Sequence, residues 1–287
     1  MPIRLDRYYV MIISKYLKDV GDFIKLVHVC KKFAEIPAMF HYNPVSMKGK
    51  NKFFSNIETL HLYSKYDEDD DRYTKCVYEY ILSYSKYLEL KSDRSKFKKV
   101  RYTNADYLKY KTFEGATILS NGCFSFKFLS STQQIFDMHN ILSFGTQCFY
   151  KNTSLQEIHL DKRLTVLPSE CFSECKNLKE IDLFYVTNIG EKCFEECSKL
   201  SSIILAKSLD NIGSNAFLHC YNIKNVTTNG FKKLNTLINL SSFEAFKTLN
   251  PSISLSFYDV FHWKNSQNAL FEYPISQIES QAFLIMV

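Results

Sequence analysis

The sequence predicts an α/β solenoid preceded by a small helical segment, and three observations predict it. A phenylalanine recurs at Phe149, Phe172, Phe194 and Phe217, at intervals of 23, 22 and 23 residues. Behind each of these, apolar residues alternate in the manner of a strand. Ahead of them, Leu5 to Phe33 carries apolar residues at helical spacing instead.

The repeat is matched at more than its marker. Five residues before the phenylalanines stand Phe144, Leu167, Ile189 and Ile212. Six after stand Leu155, Leu178, Leu200 and Ile223, and nine after stand Ile158, Ile181, Ile203 and Val226. Eleven after come Leu160, Leu183 and Leu205, with Thr228 breaking the pattern. Such a unit cannot bury its own apolar face and has to stack on its neighbours. Within "LQEIHL", Ile158 and Leu160 point inward and Glu157, His159 and Asp161 outward, as in a half-buried strand. The spacing in "SECFSEC" predicts one short helical turn.

The cysteines in "CFSECKNLKEIDL" and "CFEECSKLSSIIL" stand at i, i+4, a spacing that could suit a zinc ion. In the four repeats the first position reads Cys148, Cys171, Cys193 and Ala216, and the second reads Asn152, Cys175, Cys197 and Cys220. A metal site needs its complete ligand set in one place. A packing position needs only a residue of the right size, and free cysteine is a small buriable one. The expectation is two thiol ladders between repeats and no metal or other cofactor.

Composition fits a folded interior: 46% hydrophobic residues, with 24 Phe and 19 Tyr against a single Trp. The net charge of +6 is interspersed, which argues against a nucleic-acid partner, whose footprint usually clusters on one face. No run of about 18 apolar residues predicts a membrane span. The first residues lack signal-peptide form. Nine cysteines, an odd number, suit free thiols in a reducing compartment, so a cytoplasmic or nuclear location is expected. The sequons at Asn152, Asn225 and Asn239 then carry no glycan.

Weaker copies extend the array. "IETLHLY" from Ile57 and "FKKVRYT" from Phe97 carry the strand pattern, and "ILSNGCF" from Ile118 carries the turn and marker. The clearest repeats span 141–228, degenerate ones 229–274, and a last partial repeat 275–287, where "ISQIESQAF" restores the motif. The array thus occupies 46–287 and the helical head 1–45. The last repeat ends before its strand, which predicts a frayed end. "YDEDDDRY" (66–73) reads as a solvated loop, lacking the ligand alternation and glycine of a calcium loop.

The form "I-G-x-x-x-F-x-x-C-x-x-L", clearest in "IGSNAFLHCYNI" from Ile212, resembles the BspA-like subclass of leucine-rich repeats. The resemblance implies a curved array with a parallel sheet on its concave side. The residues that alternation turns onto that face are Thr59, His61, Tyr63, Lys99, Arg101, Glu157, His159, Asp161, Glu180, Asp182, Ser202 and Asn225. They are the candidates for binding a protein partner, and their signs run from basic to acidic along the array.

In the head, Val10, Ile13, Tyr16 and Leu17 predict one helix. Asp22 is placed to cap a second, which would bury Phe23, Leu26, Val27 and Cys30, with Gly21 marking the break. Leu5, Ile13, Leu17, Leu26, Val29, Cys30, Lys31, Lys32 and Phe33 match in order the pattern of the F-box. This segment resembles that family, departing from it at Asp6 and Phe33. Before such repeats it is similar to BspA-like proteins of large protozoan families. The resemblance implies a Skp-type adaptor bound through Leu5, Ile13, Leu17, Leu26, Val29 and Phe33, and hence a substrate receptor of a ubiquitin ligase. The other reading makes the head a cap on a repeat interaction protein. No phosphate loop, nucleophile elbow or zinc-protease helix appears, so no enzyme is expected.

Overall fold

The computed structural model describes residues 6–47, 52–125, 134–206, 208–213, 215–220, 222–223 and 225–228. The expected repeats of 229–274 and 275–287 and residue Leu5 lie outside the described residues. The chain forms two compact units, Met1–Arg101 and Tyr102–Val287.

The first unit opens with helices α1 (Arg7–Ser14) and α2 (Val20–Val29), then 3-10 turns at Lys31–Phe33 and Ile36–Met39. Three strands follow, β1 (Thr59–Leu62), β2 (Lys75–Ser83) and β3 (Ser95–Tyr102), with helix α3 (Tyr84–Leu90) between the last two. β1 pairs parallel with β2, and β2 parallel with β3. Asp19, not Asp22, caps α2: its extended backbone lets the carboxylate accept from Asp22 N. Asp22 accepts from Lys18 N in return, so Gly21 sits in the first turn of α2 and marks no break. The helices and strands share one core, in which Phe23, Phe40 and Phe54 meet Leu60, Leu62 and Tyr78. Fully burying such a side chain contributes roughly 1.5–3 kcal/mol.

The second unit holds helix α4 (Asn104–Tyr110), closed at its start by a Thr103–Asp106 capping box, and then the repeats. Its strands are β4 (Ile118–Leu119), β5 (Ile135–Met138), β6 (Glu157–Leu160), β7 (Val166–Leu167), β8 (Glu180–Leu183), β9 (Asn188–Ile189), β10 (Ser202–Leu205), β11 (Asn211–Ile212) and β12 (Asn225–Thr228). All pairings are parallel, but the sheets are small: β5–β6, β8–β10–β12 and β7–β9–β11. Between β6 and β8 a backbone bond from Lys179 N to Gln156 O carries the stacking onward.

The short helical turn expected at "SECFSEC" is replaced by tight turns with two left-handed residues per repeat. They are Gln147 and Lys151, Glu170 and Glu174, Lys192 and Glu196, and Asn215 and His219, with φ from 52° to 63°. None is glycine, so each costs about 1 kcal/mol. The conformation aims amides at the next repeat rather than back along a helix. Phe149 N donates to Cys171 O (2.8 Å), Phe172 N to Cys193 O (2.8 Å) and Phe194 N to Ala216 O (2.7 Å). Repeats are thereby stitched by backbone bonds on the turn side as well as in the strands.

The markers form a column. Ring centroids lie 5.2 Å apart for Phe149–Phe172, 5.3 Å for Phe172–Phe194 and 5.0 Å for Phe194–Phe217, with interplanar angles of 12°, 6° and 4°. That spacing matches the distance between neighbouring strands, so one translation places both strand and ring. Gly190 and Gly213 sit where a Cβ would fall 2.4 Å from the backbone nitrogens of Ser169 and Glu191. Glycine in the repeat is thus a requirement of close stacking.

The cysteines stack with the rings. Cys175 Sγ donates to Phe149 O (3.0 Å), Cys197 Sγ to Phe172 O (3.1 Å) and Cys220 Sγ to Phe194 O (2.9 Å). Asn152 holds the same place, its Nδ2 donating to Phe124 O at 3.2 Å. Burial pushes the thiols of Cys148, Cys171, Cys175, Cys193 and Cys197 up, away from the thiolate form. These are packing groups that also satisfy buried carbonyls.

Candidate protein-recognition surface

With Ile158, Ile181, Ile203 and their partners facing the core, the strands of the second unit turn the alternate side chains outward. His159, Glu180 and Asp182 are exposed, and Glu157 and Ser202 are half-buried. The side chain of Asn225 lies outside the described residues. Asp161, expected on the same face, is only 5% exposed. It stands one residue past β6, where it accepts from Arg163 N (2.8 Å) and makes a two-pronged ion pair with the Arg163 guanidinium. The Arg163 hydrogen bond holds its carboxyl below the usual range. Asp161 is a turn residue rather than part of the open face.

The same local bond recurs. Asp137 accepts from His139 N (3.1 Å) and Asp182 from Phe184 N (2.8 Å), each binding the amide two residues on. His139 lies against Asp137, and its ring stacks 6.3 Å from that of His159, which bonds Glu157 at 3.1 Å. Beyond β8, Phe184 and Tyr185 stand exposed, edge to face at 4.9 Å. An open groove of about 710 Å³ runs past these turns, lined among others by His139, His159, Asp161, Asp182 and Tyr185.

In the first unit, Thr59, His61 and Tyr63 are half-buried, whereas Lys99 and Arg101 are exposed. His61 is engaged: its Nδ1 lies 2.8 Å from Glu79 Oε1, which also meets Lys98 Nζ at 2.7 Å, and Tyr42 packs over its ring. Burial lowers the His61 pKa below its usual value, outweighing the upward pull of Glu79. The Tyr63 hydroxyl donates to Asn43 O at 2.9 Å. Glu79, Lys98 and Tyr42 were not singled out by spacing. The first two stand one residue beyond the Tyr78–Phe97 pair, where the parallel register of β2 and β3 brings them opposite each other. The acidic loop is tied down by Arg94, which bonds Asp69 (2.6 Å) and Asp71 (2.8 Å), while Asp67 accepts from Tyr63 N (2.7 Å).

Of the head residues matched to the F-box pattern, Ile13 and Val29 are exposed, whereas Leu17, Leu26 and Phe33 pack partly against the core. Tyr8, Tyr9 and Tyr16 are exposed beside Ile13, Tyr16 to 83%. Among the described residues, no group of His, Cys, Asp and Glu could hold a metal ion, and no helix is long and apolar enough to cross a membrane.

Residues 117–250 match the family model of the BspA type leucine rich repeat region, in six copies. This stretch is therefore similar to BspA-type leucine-rich repeats, a class whose members generally bind proteins. Among solved structures, the chain is similar to a leucine rich cell surface protein from Faecalibacterium prausnitzii A2-165. The two are 26% identical with a TM-score of 0.38, over 47% of this chain and 34% of that one. It is also similar to the leucine rich repeat protein of T. pallidum (17% identity, TM-score 0.35, 47% of this chain and 78% of that one). A leucine-rich repeat protein from Bacteroides ovatus matches at 15% identity and TM-score 0.37, over 77% and 55% of the two chains. The chain spans about a third of the length of the first of these. No curated protein matches the sequence.

Proposed function

We propose that the chain is a non-enzymatic protein-recognition scaffold whose outward strand faces bind a protein partner. One observation carries this reading: core packing and backbone stitching are met by the inward and turn positions. The outward strand positions are left chemically varied, from Lys99 and Arg101 to Glu180 and Asp182. A face under no packing constraint is free to specify a partner. The eight buried cysteines are free thiols, which supports a cytoplasmic or nuclear setting.

The test begins with a partner captured on the full chain and identified by mass spectrometry. Reversal of Lys99 and Arg101 to Glu, or of Glu157 and Glu180 to Lys, is expected to lower binding of that purified partner with little change in melting temperature. Binding that survives both reversals removes the strand faces from consideration. A second reading, an adaptor docked on α1, is favoured by the exposed Tyr8, Tyr9, Ile13, Tyr16 and Val29. Its test is direct titration with a purified Skp-type adaptor, and no binding at tens of micromolar by the folded full-length chain removes it.

A further inference from the structure

The groove beside β6 and β8 has a chemistry of its own. Strands β5, β6, β8 and β10 carry Asp137, Glu157, Glu180 and Asp182 and not one Lys or Arg, in a chain whose net charge is +6. The groove's own cations are differently placed: Arg163 is spent on Asp161, and Lys162 lies in the turn. Glu180 and Asp182 are exposed and, among the described residues, face no cationic side chain. Asp182 keeps one carboxylate oxygen clear of its bond to Phe184 N. Next to it stand Phe184 and Tyr185, partly exposed aromatic rings that meet edge to face.

Carboxylates flanked by exposed rings favour one kind of visitor. A Lys or Arg side chain can place its charge on the carboxylate and its stem or guanidinium plane over the ring. An anionic segment would meet Asp182 in the groove, with Glu180 on the same strand, and be repelled. An apolar one would leave Asp182 desolvated without a partner, at a cost of binding.

We propose that this groove holds an extended, Lys- or Arg-rich protein segment, with a basic side chain seated between Asp182 and Tyr185. The proposal rests on the recognition reading above and gives that reading its partner chemistry at the second unit. The open shape suits an extended strand-like segment rather than a small molecule. The stacked imidazoles of His139 and His159 line the groove along which the segment passes.

The experiment uses the full chain and two fluorescent probes of equal length, a Gly-Ser peptide with interspersed Arg and the same peptide with Glu. Anisotropy should rise with the Arg probe and not the Glu probe, and the binding should weaken with added salt. Glu180→Gln with Asp182→Asn, and separately Tyr185→Ser, should each lower affinity about tenfold or more. All are surface changes, and an unchanged melting temperature shows the fold intact. Equal binding of both probes, indifference to these substitutions, or no binding of the Arg probe overturns the proposal. In that event a captured natural partner still sensitive to the strand-face reversals leaves the scaffold reading standing. Insensitivity there as well removes both.

Discussion

Two aromatic clusters in this molecule solve the same packing problem differently. In the second unit Phe149, Phe172, Phe194 and Phe217 stack with planes 12°, 6° and 4° apart. In the first unit Phe23, Phe40 and Phe54 meet edge to face, at 81° to 82° and 5.2–5.8 Å. Isolated rings prefer the edge-to-face or offset arrangements their quadrupoles favour. A repeat leaves no such choice, because each ring is carried to the next by the translation that carries the backbone. The N-terminal trio comes from α2, the end of a 3-10 turn and a loop, so it can rotate into a T. Regularity therefore trades freedom of geometry for a column that any unit can extend.

The comparison is broken most severely through the column. Phe172→Ala should cost roughly 3–5 kcal/mol in urea unfolding, and because its ring touches both neighbours, Phe149→Ala and Phe172→Ala together should couple non-additively. Cys171→Ala should be far milder, and purified protein should contain no stoichiometric zinc. One zinc per chain with unfolding on chelation would refute the ladder.

Gly190→Ala probes the close approach between repeats. Its Cβ would meet Ser169 N at 2.4 Å and Pro168 C at 2.5 Å, both backbone atoms that cannot swing aside. A loss of about 1–3 kcal/mol is expected. Gly21, where the nearest atom is the Asp19 carboxylate at the far end of a side chain, should tolerate alanine far better.

A smaller effect should separate the units by pH. His61 has a folded pKa below 6.5, so the unfolded chain binds its proton more readily. Its contribution to stability is complete above about pH 6.5 and is lost as pH falls through the folded value. The melting temperature of the full chain should fall across that window, and His61→Gln should flatten the fall. No change in the profile would show that the pull of the Glu79 carboxylate cancels burial, and a steeper fall in the variant would show that Glu79 governs the ring.

The smallest expected effect is a gain. Lys192 holds φ at 52°, and Lys192→Gly should relieve that strain. Glycine's greater freedom in the unfolded chain offsets part of it, so a stabilisation under about 1 kcal/mol is expected. A loss would mean that the Lys192 side chain contributes more than its backbone costs.

Legibility followed the same divide. Every inward position named from the spacing between Phe144 and Ile223 is buried except Leu160, which is half-buried at the end of β6, because in a repeat each residue's environment is supplied by copies of its own local sequence. β5 was missed because Phe124 and Phe149 stand 25 residues apart, which moves its alternation out of phase. β2 was missed for another reason: Cys76, Val77 and Tyr78 are all buried in succession, so the period-two signal is absent.

By itself the sequence determined the repeat, its register, the ring and thiol columns and the outward set Glu157, His159, Glu180 and Asp182, since period and alternation are properties of the chain. Only the tertiary structure decided the rest. It turned an expected helical turn into left-handed turns, because the amides find their acceptors a whole repeat away. It withdrew Asp161 from the open face by offering it Arg163, and it gathered His61, Glu79 and Lys98 across three strands. It also set the exposed Asp182 and Tyr185 along one groove. Each of these depends on which residues meet through space, and spacing along the chain encodes that only where the chain repeats itself.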